Sequence, residues 1–215
     1  MEKASATRER ILQQGLVLLS QAGLSGVTLG VLADRVGMSK SGLFAHFRSI
    51  EEVQISLLRH TAEVAEQNVV APAMQVDEGL DRLEALVRHW LGWAAKAGLG
   101  GGCPIAASMF EYDDIDGPVR DEALALERRW RELLASLVRQ AIDRGQLRRD
   151  LDVDQFVWEL CGIYLSHHAS SRFVRDPAAD RRGRVAFDAL IERARVTPVK
   201  RIAEGSRRRK TKPKR

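Results

Sequence analysis

The sequence predicts an all-α fold in two parts, an N-terminal three-helix domain built around a helix-turn-helix and a larger helical C-terminal domain. Three observations carry that expectation. Apolar residues recur at three- and four-residue spacing along most of the 215-residue chain, with no strand-like alternation and no internal repeat. The run from Val27 to Ser49 describes two short helices joined at a glycine. The segment Asp154 to Arg172 is apolar almost all round, as in a helix covered on more than one side.

Taken in order, Thr7 to Ala22 reads as a first helix, because Ile11, Leu12, Gly15, Leu16, Leu19 and Ala22 share a face and Gly23 ends it. Thr28 brings a hydroxyl to the entrance of the second helix, where it can accept from a first-turn N–H. Leu32, Ala33 and Val36 form its inner stripe, and Gly37 supplies the left-handed residue that stops it. Ser39 is placed to cap the third helix, in which Leu43 and Phe47 lie four apart and face inward. Lys40, Ser41, Gly42, Phe44, Ala45 and His46 are left mostly outward, a small, basic and aromatic face. Ser49 with Glu52 three residues on is a capping box opening a fourth helix through Val53, Leu57, Leu58 and Val64, ending near Val70 before Pro72. This helix joins the two parts and is the natural lever between them.

Residues 77–97 form one amphipathic segment through Leu80, Leu83, Leu86, Val87, Trp90, Leu91 and Ala94, broken by the glycine-rich loop 98–102. Pro104 suits the first position of a short helix ending at Tyr112, and an acidic loop follows from Asp113 to Gly117. Pro118 to Arg144 is a long helix with Leu126, Trp130, Leu133, Leu134, Leu137, Val138 and Ala141 as its stripe. After the all-round apolar helix, a last one from about Asp180 to Arg195 carries Ala186, Phe187, Leu190, Ile191 and Ala194 on one face.

Composition narrows the function classes. The net charge of +5 is not spread evenly: Val199 to Arg215 holds nine Lys or Arg and one Glu, leaving 25 basic against 28 acidic residues before it. Within residues 1–48, Lys3, Arg8, Arg10, Arg35, Lys40 and Arg48 face Glu2, Glu9 and Asp34, a modest local excess for phosphates. The tail has no apolar periodicity and contains Pro213, so it reads as a disordered, solvated extension in preference to a DNA-binding arm. No apolar run approaches the roughly 20 residues of a membrane span, and the first residues lack the apolar segment of a signal peptide, so a cytoplasmic location is expected. Cys103 and Cys161 stand far apart without C-x-x-C spacing, which points to neither a zinc site nor a disulfide framework.

Thr28, Leu32-Ala33, Gly37-Met38-Ser39, Leu43-Phe44-Ala45-His46-Phe47 and Ser49-Ile50-Glu51-Glu52 together resemble the DNA-binding domain of the tetracycline-repressor (TetR) family. Three departures are visible: Phe44 stands where Tyr is usual, Gly42 where Thr or Ser is common, and Ile50 where a phosphate-binding Lys is frequent. The resemblance implies a recognition helix in the major groove, with Thr28, Ser39, Lys40, Ser41, Gly42, Phe44, Ala45 and His46 as the DNA-binding set. Lys40 can reach base edges or phosphate from the helix start, and the resemblance assigns His46 to the backbone. It also implies that the last two helices pair across a two-fold axis, with Phe156, Leu160, Phe187, Leu190 and Ile191 as interface residues. A fully buried monomeric core explains the same apolar helix. The expected division is 1–48 for DNA binding, 49–196 for ligand binding and dimerisation, and 197–215 for the basic tail.

In the body, Trp90, Trp93, Met109, Phe110, Trp130, Tyr164 and His168 are the candidates for a largely apolar small-molecule pocket, although core packing accounts for any one of them. His167 and His168 point about 100° apart and do not chelate one ion together. The carboxylates Glu111, Asp113, Asp114 and Asp116 read as a solvated loop more readily than as an acid–base pair or cation site. Cys103 precedes Pro104 at a helix start, where a lowered thiol pKa would suit a redox sensor.

The expected function is a ligand-responsive repressor that binds a palindromic double-stranded DNA operator as a homodimer and is released by a small-molecule effector. No cofactor, metal, membrane partner or enzymatic activity is expected. The alternatives are an enzyme using the aromatic pocket, a redox sensor acting through Cys103, and a sequence-tolerant architectural protein bound through its tail.

Overall fold

The computed structural model describes residues 2–196, with side chains from Ser5 onward; the basic tail and its two readings lie outside the described residues. The first helix, α1 (Glu2–Gly26), begins earlier than its apolar stripe and is broken at Gly23, whose φ of 71° and ψ of −179° are not helical. Helices α2 (Leu29–Val36) and α3 (Lys40–Phe44) follow, then α4 (Ile50–Ala65). Among the described residues there is no strand, only an isolated bridge between Leu147 and Arg195. No helix among them is long and apolar enough to cross a membrane.

Pro72 does not stop the fourth helix. The chain widens into a π-helical turn at Glu66–Val70 and continues as α5 (Ala71–Met74) with Pro72 inside it. Ala71 donates to the Glu66 carbonyl, five residues back, so the proline, which has no N–H, follows a turn already wider than an α-turn. Asn68 Nδ2 donates to the Val64 carbonyl at 2.8 Å and satisfies an acceptor at the widened turn.

The segment predicted as one helix over 77–97 is two, α6 (Leu80–Trp90) and α7 (Trp93–Lys96), because Gly92 takes a left-handed φ of 73°. Trp90 and Trp93 therefore do not ride on one continuous helix. Then come α8 (Pro104–Glu111), α9 (Pro118–Asp143) and α10 (Val153–Ala169), which passes through a second π-helical turn (Ser170–Val174) before α11 (Ala179–Ala194).

Two apolar cores result. In the N-terminal lobe Ile11, Leu19, Leu24, Leu32, Leu43 and Phe47 are closed over by Val53, Leu57 and Leu58 of α4 and by Val119, Ala123 and Leu126 of α9. The packing of the lobe thus extends past the expected boundary at residue 48 into α4 and α9. The body core joins α6, α7, α9, α10 and α11 through Leu83, Leu86, Trp93, Leu134, Val138, Leu160 and Leu190.

Candidate nucleic-acid interface and ligand cavity

The helix-turn-helix is built by the caps its sequence offers. Thr28 Oγ1 accepts the Val31 N–H at 3.2 Å, and Gly37, at φ 68° and ψ 37°, closes α2 while Met38 N–H returns to the Ala33 carbonyl at 3.0 Å. Ser39 Oγ accepts the Gly42 N–H at 3.0 Å and lies 2.9 Å from Ser41 Oγ. In the next cap Ser49 Oγ takes the Glu52 N–H at 3.1 Å. The returning Glu52 carboxylate accepts from Arg48 N–H, one residue before the position a capping box predicts.

Leu43 and Phe47 are buried, and this turns the proposed reading face to solvent: Thr28, Ser39, Lys40, Ser41, Phe44 and Ala45 are exposed, Gly42 and His46 half-buried. Lys40 lies across the start of α2, so that a β-carbon on Gly30 would stand 3.3 Å from its Cε. Among the described residues Arg10, Arg35, Lys40 and Arg48 make no ion pair. Arg8 is used differently: its guanidinium sits 4.8 Å over the Phe47 ring and donates to Ser56 Oγ at 2.9 Å, a packing role that removes it from the cations free for phosphate.

The break at Gly23 has a partner in the body. Glu111, at the end of α8, accepts the Leu24 N–H at 3.1 Å and the Ser25 N–H at 3.0 Å. A β-carbon on Gly23 would stand 2.5 Å from that carboxylate. Gln54 Nε2 of α4 donates to the Leu24 carbonyl at 3.0 Å, and Gly102 N–H donates to the Ser20 carbonyl at 3.2 Å. Glu111 is therefore a clamp on the end of α1, while Asp113, Asp114 and Asp116 are exposed loop residues as expected. Spacing within the acidic run carried no signal that would separate them.

Between α4, α6, α7, α8, α9 and α10 lies a cavity of about 260 Å³. Trp90, Trp93, Met109, Trp130 and Tyr164 line it, with Ile105, Ala106, Leu133 and Leu165, both cysteines, and Glu66, Val69 and Val70 of the π-helical turn. Trp90 stacks on Tyr164 at 4.1 Å and 11°, and meets Trp130 edge-to-face at 4.8 Å and 61°. Trp93 Nε1 donates to the Tyr164 hydroxyl at 3.1 Å. Phe110 is not in the cavity: α8 turns Ile105, Ala106 and Met109 inward, and Phe110 is 64% exposed. His168 faces a separate polar cleft behind Tyr164, bounded by the loop 98–102, Arg172 and Asp180. Burial, then Arg172 and His167, hold its pKa below the usual value. Sequence reasoning missed Glu127, Cys161 and the π-helical turn, since none stands on a motif.

The structure also bears on the cysteines and on the expected interface set. Cys103 is buried against Tyr164 and Trp93, and desolvation pushes its thiol up, opposite to the shift a helix start alone would give. Cys161 is pushed up by burial to about 11. Burial disfavours the thiolate at both, which weighs against a Cys103 sensor. The interface set Phe156, Leu160, Phe187, Leu190 and Ile191 is buried inside its own chain, each at 5% exposure or less. The outward residues of the same helices are Trp158 at 65% and Val185 at 58%, with Gly162, Ser166, Ala186 and Ala189 also exposed, and Phe173 stands 90% exposed beyond α10. Both faces of α10 are apolar, and composition does not say which one meets its own core. Among the described residues no cluster of three His, Cys, Asp or Glu is placed to hold a metal ion.

Residues 79–187 match the family model described as "Tetracyclin repressor-like, C-terminal domain", and residues 11–55 that of "Bacterial regulatory proteins, tetR family". No curated protein matches the chain. Among solved structures, the fold is shared with a TetR transcriptional regulator from Chloroflexus aurantiacus at 24% identity, covering 92% of this chain and 100% of that one with a TM-score of 0.81. A TetR-family regulator from Cytophaga hutchinsonii aligns at 20% identity over 92% and 98% of the two chains, with a TM-score of 0.80. A Saccharomonospora viridis protein crystallised in complex with choline aligns at 20% identity over 90% and 100%, with a TM-score of 0.72.

Proposed function

This chain belongs to the TetR family of bacterial transcriptional regulators, DNA-binding proteins without enzymatic activity, and on that premise we propose that it is an effector-released repressor. It acts in the cytoplasm as a homodimer on a palindromic operator. The observation that carries the DNA side is the pair of capped helices that bury Leu43 and Phe47 and leave Ser41, Phe44 and Ala45 outward beside Lys40, whose ammonium makes no ion pair among the described residues. Small residues on α3 let the helix approach base edges, Lys40 supplies a cation for base or phosphate, and His46 contacts backbone.

The partner is a second copy placed against the outer face of α10 and α11. Trp158 and Gly162 lie four apart on that face of α10, as do Val185 and Ala189 on α11; a β-carbon at Gly162 would meet nothing within 4 Å among the described residues, leaving room for a close helix. Two-fold symmetry then sets two recognition helices about 34–36 Å apart along one side of the duplex.

The cavity is the effector site. Its wall includes the π-helical turn that ends α4, and α4 begins at Ile50 beside the recognition helix. Its α8 wall carries Glu111, which grips Leu24 and Ser25 at the end of α1. A ligand that fits better when α8 and the π-helical turn are spread apart moves both supports of the DNA-binding lobe, so ligand and operator oppose each other reciprocally. The choline complex of the S. viridis protein supports small-molecule occupancy of this fold.

Selection of bound sequences from a random duplex library tests the reading. A two-fold symmetric consensus is expected, with random DNA bound at least about 1,000-fold more weakly. Enrichment without dyad symmetry, or equal affinity for random DNA, would leave the architectural alternative in its place.

A further inference from the structure

The cavity has two features that an apolar chamber does not need. Trp90, Trp130 and Tyr164 form a corner of aromatic planes, two rings parallel at 4.1 Å and the third inclined at 61°. Glu127 lines the chamber although its side chain is only 16% exposed. Its Oε1 accepts from Arg131 Nε at 2.7 Å, and Arg131 is not a cavity residue, so the guanidinium anchors the carboxylate from behind. Burial outweighs Arg131 and holds the Glu127 carboxyl above the usual carboxylate range, so a second cation beside it would favour its charged form.

The remaining charges in the wall do not favour an anion. Glu66 is exposed at the π-helical turn, and Arg129 reaches outward to Glu122 at 3.6 Å, where Arg59 also binds. Aromatic planes meeting at an angle attract a cation through their ring quadrupoles, most of all when water is excluded. A neutral ligand without a hydrogen-bond donor gains nothing from a desolvated carboxylate, and an anion is repelled by it.

We propose that the effector is an organic ammonium ion, held in the corner made by Trp90, Trp130 and Tyr164 and balanced by the carboxylate of Glu127. This rests on the reading of the cavity as the effector site. The ligand's positive centre lies between the aromatic planes and Glu127.

The test titrates full-length protein with benzyltrimethylammonium, with its uncharged carbon isostere neopentylbenzene, and with phenylacetate, following intrinsic tryptophan fluorescence. In the same samples, release of operator DNA chosen by the library selection is followed by fluorescence anisotropy. The ammonium ion is expected to bind at least about tenfold more tightly than the isostere, and phenylacetate more weakly than either. Glu127→Gln, which keeps shape and removes charge, should bring the ratio of ammonium to isostere close to one. The wild-type ratio does not depend on how any variant folds. Equal or tighter binding of the isostere or of phenylacetate overturns the proposal, as does absence of ammonium binding up to about 10 mM or an unchanged ratio in Glu127→Gln. Ammonium binding without DNA release keeps the ligand class and defeats the effector-release reading; DNA release by the isostere alone does the reverse.

Discussion

The N-terminal lobe and the body place their candidate site residues in opposite directions. In the lobe, Leu32, Leu43 and Phe47 close the core, and what remains on α3 faces solvent. In the body, the polar and aromatic groups of interest, Trp90, Tyr164, Trp130 and Glu127, face inward among leucines and valines. An outward site is what is left once the core stripe is assigned, while an inward site competes with the core for the same residue types. Helix α10 shows the cost of that competition, because Leu160 on one side and Trp158 on the other are equally apolar and have opposite fates.

The largest expected effect separates those two faces. Leu190→Glu puts an unpaired carboxylate at a position 4% exposed and should cost about 3–5 kcal/mol, seen as a lost or broadened thermal transition by circular dichroism. Trp158→Glu should keep the helical spectrum and sediment as a monomer. A folded dimer in both variants would dissolve the distinction between inner and outer faces.

Next in size is the joint between the two regions. Glu111→Ala leaves the Leu24 and Ser25 N–H groups without their acceptor, a local loss of about 1–3 kcal/mol. Hydrogen exchange at those two amides should quicken while α10 amides keep their wild-type rates; uniform acceleration would mean that Glu111 supports the whole fold instead of the end of α1.

Gly37→Ala should cost about 1–2 kcal/mol, all of it from left-handed backbone, since among the described residues nothing lies within 4 Å of the new β-carbon. Gly162→Ala, also without a neighbour but inside a helix, should instead stabilise an isolated monomer by up to about 1 kcal/mol. Thermal melts of the two variants at low protein concentration compare a cap with a helix interior.

The smallest expected signal is chemical. With Cys161 pushed up to about 11, only about one molecule in a thousand carries that thiolate at pH 8, and Cys103 is shifted the same way. Iodoacetamide labelling of native protein, read by mass spectrometry, should be slow and should quicken with each rise in pH below the shifted value. Rapid labelling of Cys103 at pH 7 would return it to the list of sensors.

The helix class, the order of helices and the helix-turn-helix were legible from local signals. Thr28, Gly37, Ser39 and Ser49 act on groups within a few residues of themselves, so their roles survive without knowledge of the rest of the chain. Pro72 and the 77–97 segment were misread for a related reason: a π-helical turn and the left-handed Gly92 depend on what packs alongside. The aromatic residues were legible as a class, yet Phe110 and Met109 are neighbours in sequence and only the setting of α8 sends one out and the other in. Glu127 becomes a cavity carboxylate because α4, α6, α8 and α10 surround α9 at that height, and Glu111 becomes a clamp because Gly23 opens α1 opposite to it. Short-range hydrogen bonds and periodicity are written along the chain, whereas desolvation and enclosure belong to residues far apart in sequence, and those the tertiary structure alone decided.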